Sequence, residues 1–185
     1  MKNNLENLPG ISWVNSFNSS IPGVYHKTYF SDSMQREIGY AVYLPPGYEP
    51  DTGPPKADKP QNSYPVIYWL HGKGGNESTG FNIRLFAFFH QAVIDSKIQP
   101  AIIVCPNCGS YSMFCDSYDG TIMGETILIK ELIPLIDSAY GTVADRNGRA
   151  LEGFSMGGFG AIKLAFKYPG LFSSVVTYAA SAHDL

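Results

Sequence analysis

The sequence is poor in the residues that mark several large classes of protein. It holds three cysteines among 185 residues, Cys105, Cys108 and Cys115. A small, odd count gives no disulfide framework. Cys105-Pro106-Asn107-Cys108 is a lone C-x-x-C, with no second pair to complete a zinc site and no thioredoxin-like helix behind it. It reads as a strand-end loop with incidental thiols. A local disulfide through Cys115 stays open in an oxidising compartment. Charge is scarce as well, at 16% of residues and a formal net −3, so there is no basic field for nucleic acid. No apolar run approaches the length that spans a bilayer. The opening Met1-Lys2-Asn3-Asn4-Leu5-Glu6 lacks the apolar core of a secretory signal. The expectation is a cytoplasmic chain as the sequence stands, or a secreted one if a signal was removed. No G-x-x-x-x-G-K-[ST] is present, so the glycines do not read as a phosphate cradle.

What is present is a soluble-type hydrophobic content of 44% and a G-x-S-x-G at Gly153-Phe154-Ser155-Met156-Gly157, with Gly158 behind it. Residues 149–152 suit a strand, and residues 159–168 have helical spacing up to Pro169-Gly170. Strand, sharp turn and helix together make the motif a nucleophile elbow. Gly153 and Gly157 remove Cβ atoms that would clash in so tight a turn. Ser155 is then the candidate nucleophile, and the amide of Met156, at a helix N-terminus, a candidate oxyanion donor.

The rest of the chain reads as a single domain, residues 1–185, with 1–22 an N-terminal extension anchored by Trp13 and Phe17. Residues 25–30 and 38–44 predict two antiparallel strands, with Ile38, Tyr40, Val42 and Leu44 on one face. Residues 49–63, with Pro54-Pro55 and Pro60, predict a surface loop. Residues 64–70 predict a strand buried on both faces, leading into His71-Gly72-Lys73-Gly74-Gly75. His71 is expected to support that loop through hydrogen bonds, together with Gly72. Helices are predicted over 81–98 and 126–140, the second kinked at Pro134. His90 reads as a packing or surface histidine. Strands are predicted over 100–105 and 172–180. Asp116 and Asp119 suit a metal, a substrate hydroxyl or plain turn chemistry. In the elbow helix Ile162, Ala165 and Phe166 are expected to face inward, and Lys163 and Lys167 to face water. Glu152, in a central strand, needs a partner that the sequence does not name. The alternation from residue 64 onward argues a mostly parallel α/β sheet with helices on both faces, opened by an antiparallel hairpin.

These residues resemble a known family, the esterase D and feruloyl (cinnamoyl) esterase group of α/β-hydrolases. The resemblance runs over roughly 24–183. It rests on Tyr43-Leu44-Pro45-Pro46-Gly47-Tyr48, Tyr68-Trp69-Leu70-His71-Gly72, Glu131-Leu132-Ile133-Pro134 and the stretch from Arg149 to Gly158. It implies acyl-enzyme ester hydrolysis on Ser155, a histidine base, a carboxylate that orients it, and an oxyanion hole from the amides of Met156 and Lys73. It implies no metal or organic cofactor in the chemistry. The substrate would be a feruloyl, cinnamoyl or acetyl ester of plant polysaccharide or a smaller ester. Tyr111, Phe114 and Tyr118 suit either a phenolic acyl group or a structural loop.

By the family pattern the chain stops before the acid and the histidine, so the fold is expected to lack its last strands and helices. Three readings stand open: a fragment, a short protein that assembles its base differently, or a domain that keeps only a carbohydrate- or partner-binding role. For the second, His183 and Asp184 are the candidate base and acid. Acyl transfer differs from hydrolysis only in the group that deacylates Ser155. A strand over 172–180 left at the sheet edge would invite self-association.

Overall fold

The structure, a computed structural model, describes residues 11–48, 63–82 and 85–180. Most of the expected 49–63 loop and the pair His183 and Asp184 lie outside these residues.

The first two strands, β1 (Val24–Ser31) and β2 (Arg36–Tyr43), form the antiparallel hairpin. Strand β2 then pairs antiparallel with β4 (Ile102–Pro106). Strands β4, β3 (Val66–Leu70), β5 (Arg149–Phe154) and β6 (Ser174–Tyr178) run parallel. The sheet order is β1-β2-β4-β3-β5-β6. This is the expected α/β-hydrolase arrangement as far as β6. Strands β3 and β4 are covered on both faces, which is why their sequences are apolar without alternation.

The two faces take different covers. Ile38, Tyr40, Val42, Tyr68, Leu70, Val104 and Leu151 pack under α3 (Gly124–Thr126), a π-helical stretch (Ile127–Leu132), α4 (Ile133–Ala139) and α5 (Met156–Lys167). On the opposite face Ala41, Tyr43, Trp69, Ile103 and Cys105 meet Phe81 of α1 (Thr79–Asn82) and Phe86 of α2 (Leu85–Ile94). Trp13 is buried and Phe17 stacks on Phe81, so the extension is anchored as its aromatics suggest. Among the described residues no helix is long and apolar enough to cross a membrane.

Three expectations need adjustment. The predicted helix 81–98 is described over Thr79–Asn82 and Leu85–Ile94, and it ends at Ile94, short of residue 98. The irregularity expected at Pro134 takes the form of the π-helical stretch before it. Pro134 then falls in the first turn of α4, where its missing N–H costs little. The face of α5 is also different. Ala161 and Leu164 are buried, whereas Ile162 is 38% exposed and Phe166 83% exposed. The inner side of the helix is built from Met156, Gly157, Gly158, Gly160, Ala161 and Leu164, and Phe166 points away.

Candidate active site

Strand β5 ends at Phe154 and α5 begins at Met156, so one residue makes the whole turn. That residue is Ser155, held at φ 54° and ψ −115°. A non-glycine residue with such a φ carries on the order of 1–3 kcal/mol of strain, which surrounding contacts must hold. Two hydrogen bonds do so. The Ser155 N–H donates to the Tyr178 carbonyl of β6 at 2.9 Å, and the Ser155 carbonyl accepts the Phe159 N–H at 3.0 Å. Packing closes the rest. A Cβ at Gly153 would run into the Gly157 carbonyl oxygen, and one at Gly157 into the carbonyl oxygen of Leu70. The elbow therefore sits directly against the end of β3 and the loop that follows. Met156 opens a helix, so its amide is among the first-turn N–H groups without an intrahelical acceptor.

The loop after β3 holds the other sequence-derived site residues. His71 is 1% exposed and its Nδ1 lies 2.9 Å from the Gly72 carbonyl oxygen. Burial pushes its pKa down, with the Gly72 hydrogen bond and the Glu77 charge opposing. A neutral ring with the proton on Nδ1 fits that contact. Its Nε2 has no hydrogen-bond partner among the described residues. Lys73 follows on an exposed turn, its ammonium 5.9 Å from the centre of the Tyr111 ring. The turn is fixed by Gly74 N–H to Ser110 O at 2.8 Å and Gly75 N–H to Gly72 O at 3.0 Å.

Behind this loop lies a residue that the sequence did not single out. Glu77 is fully buried. Its carboxylate accepts from Asn15 N at 2.6 Å, Asn15 Nδ2 at 3.0 Å and Asn107 Nδ2 at 2.8 Å, and His26 Nε2 lies 3.1 Å away. One carboxylate thus ties the N-terminal segment, β1 and the loop after β4 to the candidate oxyanion loop. A buried charge is tolerable only when so fully bonded. Nothing in the local sequence announces it, because its partners come from three distant segments.

The loop after β4 is held by similar means. Asp116 accepts the N–H groups of Glu125 and Thr126 at 3.0 and 2.9 Å and the Thr126 hydroxyl at 2.7 Å. Asp119 accepts from Ser117 and Thr121. Both are turn and capping groups. Among the described residues no group of three or more His, Cys, Asp or Glu is placed to hold a metal ion. Phe114 is fully buried beside the His71 ring, at 5.4 Å between centroids, so it is structural; Tyr111 and Tyr118 are exposed. Cys105, Cys108 and Cys115 are free, and burial pushes the first two thiols well up, so they stay protonated.

Lys163, expected in water, instead reaches under this loop. Its ammonium donates to the Phe114 carbonyl at 2.5 Å and to Glu125 at 2.9 Å. Burial would raise the Glu125 pKa, but hydrogen bonds from Lys167, Tyr168 and Lys163 outweigh it and hold it at about 2. Glu152 finds its partner in Tyr178 on β6; burial still pushes its pKa up against that hydrogen bond.

The sequence contains four histidines. His26 serves Glu77, His71 serves its loop, and His90 Nδ1 pairs with the Tyr43 hydroxyl at 3.0 Å. His183, like Asp184, lies outside the described residues.

Comparison with known proteins agrees with the fold. The chain is 33% identical to an esterase of Mycobacterium tuberculosis over 168 residues, 89% of this chain and 34% of that protein. It is 35% identical to an endo-1,4-beta-xylanase/feruloyl esterase of Xylanibacter ruminicola over 153 residues, 78% of this chain and 20% of that protein. Among solved structures, a ferulic acid esterase matches with a TM-score of 0.71 and 27% identity, over 82% of this chain and 55% of that one. An S-formylglutathione hydrolase from Agrobacterium tumefaciens shares the fold, with a TM-score of 0.67 at 20% identity, over 88% of this chain and 60% of that one. The chain therefore spans about a third or less of the curated relatives' length. Residues 31–183 match the family model described as putative esterase, and by that match the chain belongs to the putative esterase family.

Proposed function

We propose that the chain carries the nucleophile and oxyanion hole of a serine carboxylic-ester hydrolase. The observation that carries this reading is Ser155, strained at φ 54° on a one-residue turn at the C-terminal end of a parallel strand. The residue is half-buried at the N-terminus of α5, where first-turn amides are available to an oxyanion. In the proposed reaction Ser155 Oγ attacks the ester carbonyl while a base takes its proton. The amides of Met156 and Lys73 hold the oxyanion. The tetrahedral adduct collapses, the alcohol leaves with the proton, and water then releases the acid from Ser155.

The base proposed within this chain is His183, with Asp184 as its acid. The other three histidines hold structural partners. The substrate we infer is a feruloyl, cinnamoyl or acetyl ester. Relatives described as feruloyl esterases support the phenolic choice, as does exposed Tyr111 beside the candidate oxyanion loop.

The test is hydrolysis of methyl ferulate and p-nitrophenyl acetate by the parent, Ser155→Ala and His183→Ala. Ser155→Ala is expected to lower kcat by roughly ten-thousand-fold. Loss in both variants supports His183 as base. Loss with Ser155→Ala alone moves the base to His71 or to a second polypeptide. Activity that survives Ser155→Ala rejects the nucleophile assignment.

A further inference from the structure

A cleft of about 730 Å³ opens at the end of the sheet opposite Ser155. Its location follows from register. Tyr43, at the end of β2, pairs with Ile103 at the start of β4, so Leu44 and Pro45 beyond it lie at the N-terminal ends of the parallel strands. Strands β3 and β5 have five and six residues, which puts this end roughly 15–20 Å from the elbow. The cleft is lined by Tyr25, Tyr48, Tyr140, Pro46, Lys27 and His90, among others. Its volume is within the range of small-molecule sites, about 300–1,000 Å³.

Two features of the lining define what it would hold. The walls are aromatic and prolyl, and the Tyr25 ring is 49% exposed, so flat faces are open to a planar ligand. The polar groups are one-sided in charge. Lys27 makes no ion pair among the described residues, and its ammonium lies 5.9 Å from the Tyr25 ring centre. No Asp or Glu is among the described residues that line the cleft. The Tyr48 hydroxyl accepts the Gly141 N–H at 3.2 Å, which leaves its own proton to donate. A cation with no acidic partner among the described residues, and a spare donor beside tyrosine faces, complement a ring that bears a negative charge.

We propose that this cleft is a second binding site, separate from the ester site, for an aromatic carboxylate. Lys27 meets the carboxylate and the tyrosines take the ring. The inference does not depend on catalysis, because nothing in the cleft touches Ser155.

The experiment is isothermal titration of the Ser155→Ala chain with 4-hydroxycinnamate and with its neutral methyl ester, which this variant leaves intact. Apart from binding at the ester site, a saturable site that is weakened in Lys27→Met is expected for the acid, and the ester is expected to fill it about tenfold more weakly. Lys27→Met and Tyr25→Ala should each weaken the acid by about tenfold, with unchanged circular-dichroism melts. Equal affinity for acid and ester, or affinity unaltered by Lys27→Met, would overturn the proposal. So would no binding up to about 10 mM, or tighter binding of a neutral xylo-oligosaccharide. The acid and ester comparison needs no variant in the cleft, so a misfolded variant does not spoil the test.

Discussion

Strand β5 has two neighbours of opposite character. On the β3 side and under α5 the chain is so crowded that a single methyl at Gly153 or Gly157 meets backbone oxygen. On the other side, β6 is bonded along one edge only among the described residues. Val175 is 41% exposed, Val176 43% and Tyr178 46%. Phe166 on one face and Phe88 on the other add to the exposed apolar surface. The contrast also separates β6 from the other edge of the sheet. Strand β1 carries Lys27 along its exposed side, whereas Ser174–Tyr178 has no charge at all. A charged edge resists pairing with another chain, and an uncharged β-branched edge does not. The elbow is thus fixed by close contact on one side, while its hydrogen bond to Tyr178 depends on the less protected side.

Four changes would break or sharpen this contrast. The largest effect is expected at the crowded side. Gly157→Val should cost about 3 kcal/mol, read as a lower urea midpoint, because the Leu70 carbonyl has nowhere to go. Next is the ion cluster beneath α5. Glu125→Gln should cost about 2 kcal/mol at pH 7, since Lys163 and Lys167 lose their shared carboxylate. The sign with pH follows from the lowered Glu125 pKa. Its contribution is complete above the ordinary carboxylate value and disappears as pH falls toward about 2. Parent and Glu125→Gln melts should therefore converge in acid; curves that stay parallel would reject the assignment.

At the open side the effects on stability are smaller and those on association larger. We expect the parent to self-associate through β6, and Val176→Lys to reduce this while changing stability by no more than about 0.5 kcal/mol. Sedimentation velocity of both chains decides it; a parent monomeric at every concentration would remove the edge from consideration. The smallest effect is at Glu152. Its pKa is raised, so the folded state holds a proton more tightly than the unfolded chain, and stability falls as pH rises through the folded value. Glu152→Gln should raise the urea midpoint slightly at pH 7 and leave it unchanged near pH 4.

Particular residues show where sequence reading reaches its limit. The elbow geometry was legible because its signal is local: Gly153 and Gly157 have to be glycine for the chain to turn on the one residue between β5 and α5. The buried strands were legible from their uninterrupted apolar runs. The face of α5 was misread because helical periodicity ranks residues by hydrophobicity, whereas Gly157, Gly158 and Gly160 make the tight contacts with the Leu70 carbonyl, Ala180 and the Phe114 ring, and Phe166 is left outside. Glu77 was missed because its meaning lies in Asn15, His26 and Asn107, which are near it only after folding. Lys163 and Glu125 were missed as a pair for the same reason.

The sequence by itself determined the α/β order of elements, the strand–turn–helix around Ser155 and the family resemblance, since each rests on residues adjacent in the chain. Tertiary structure decided which carboxylates brace the loops, which side of α5 is buried and which flank of β5 stays open. Those outcomes depend on distances between segments far apart in sequence, and only packing sets them.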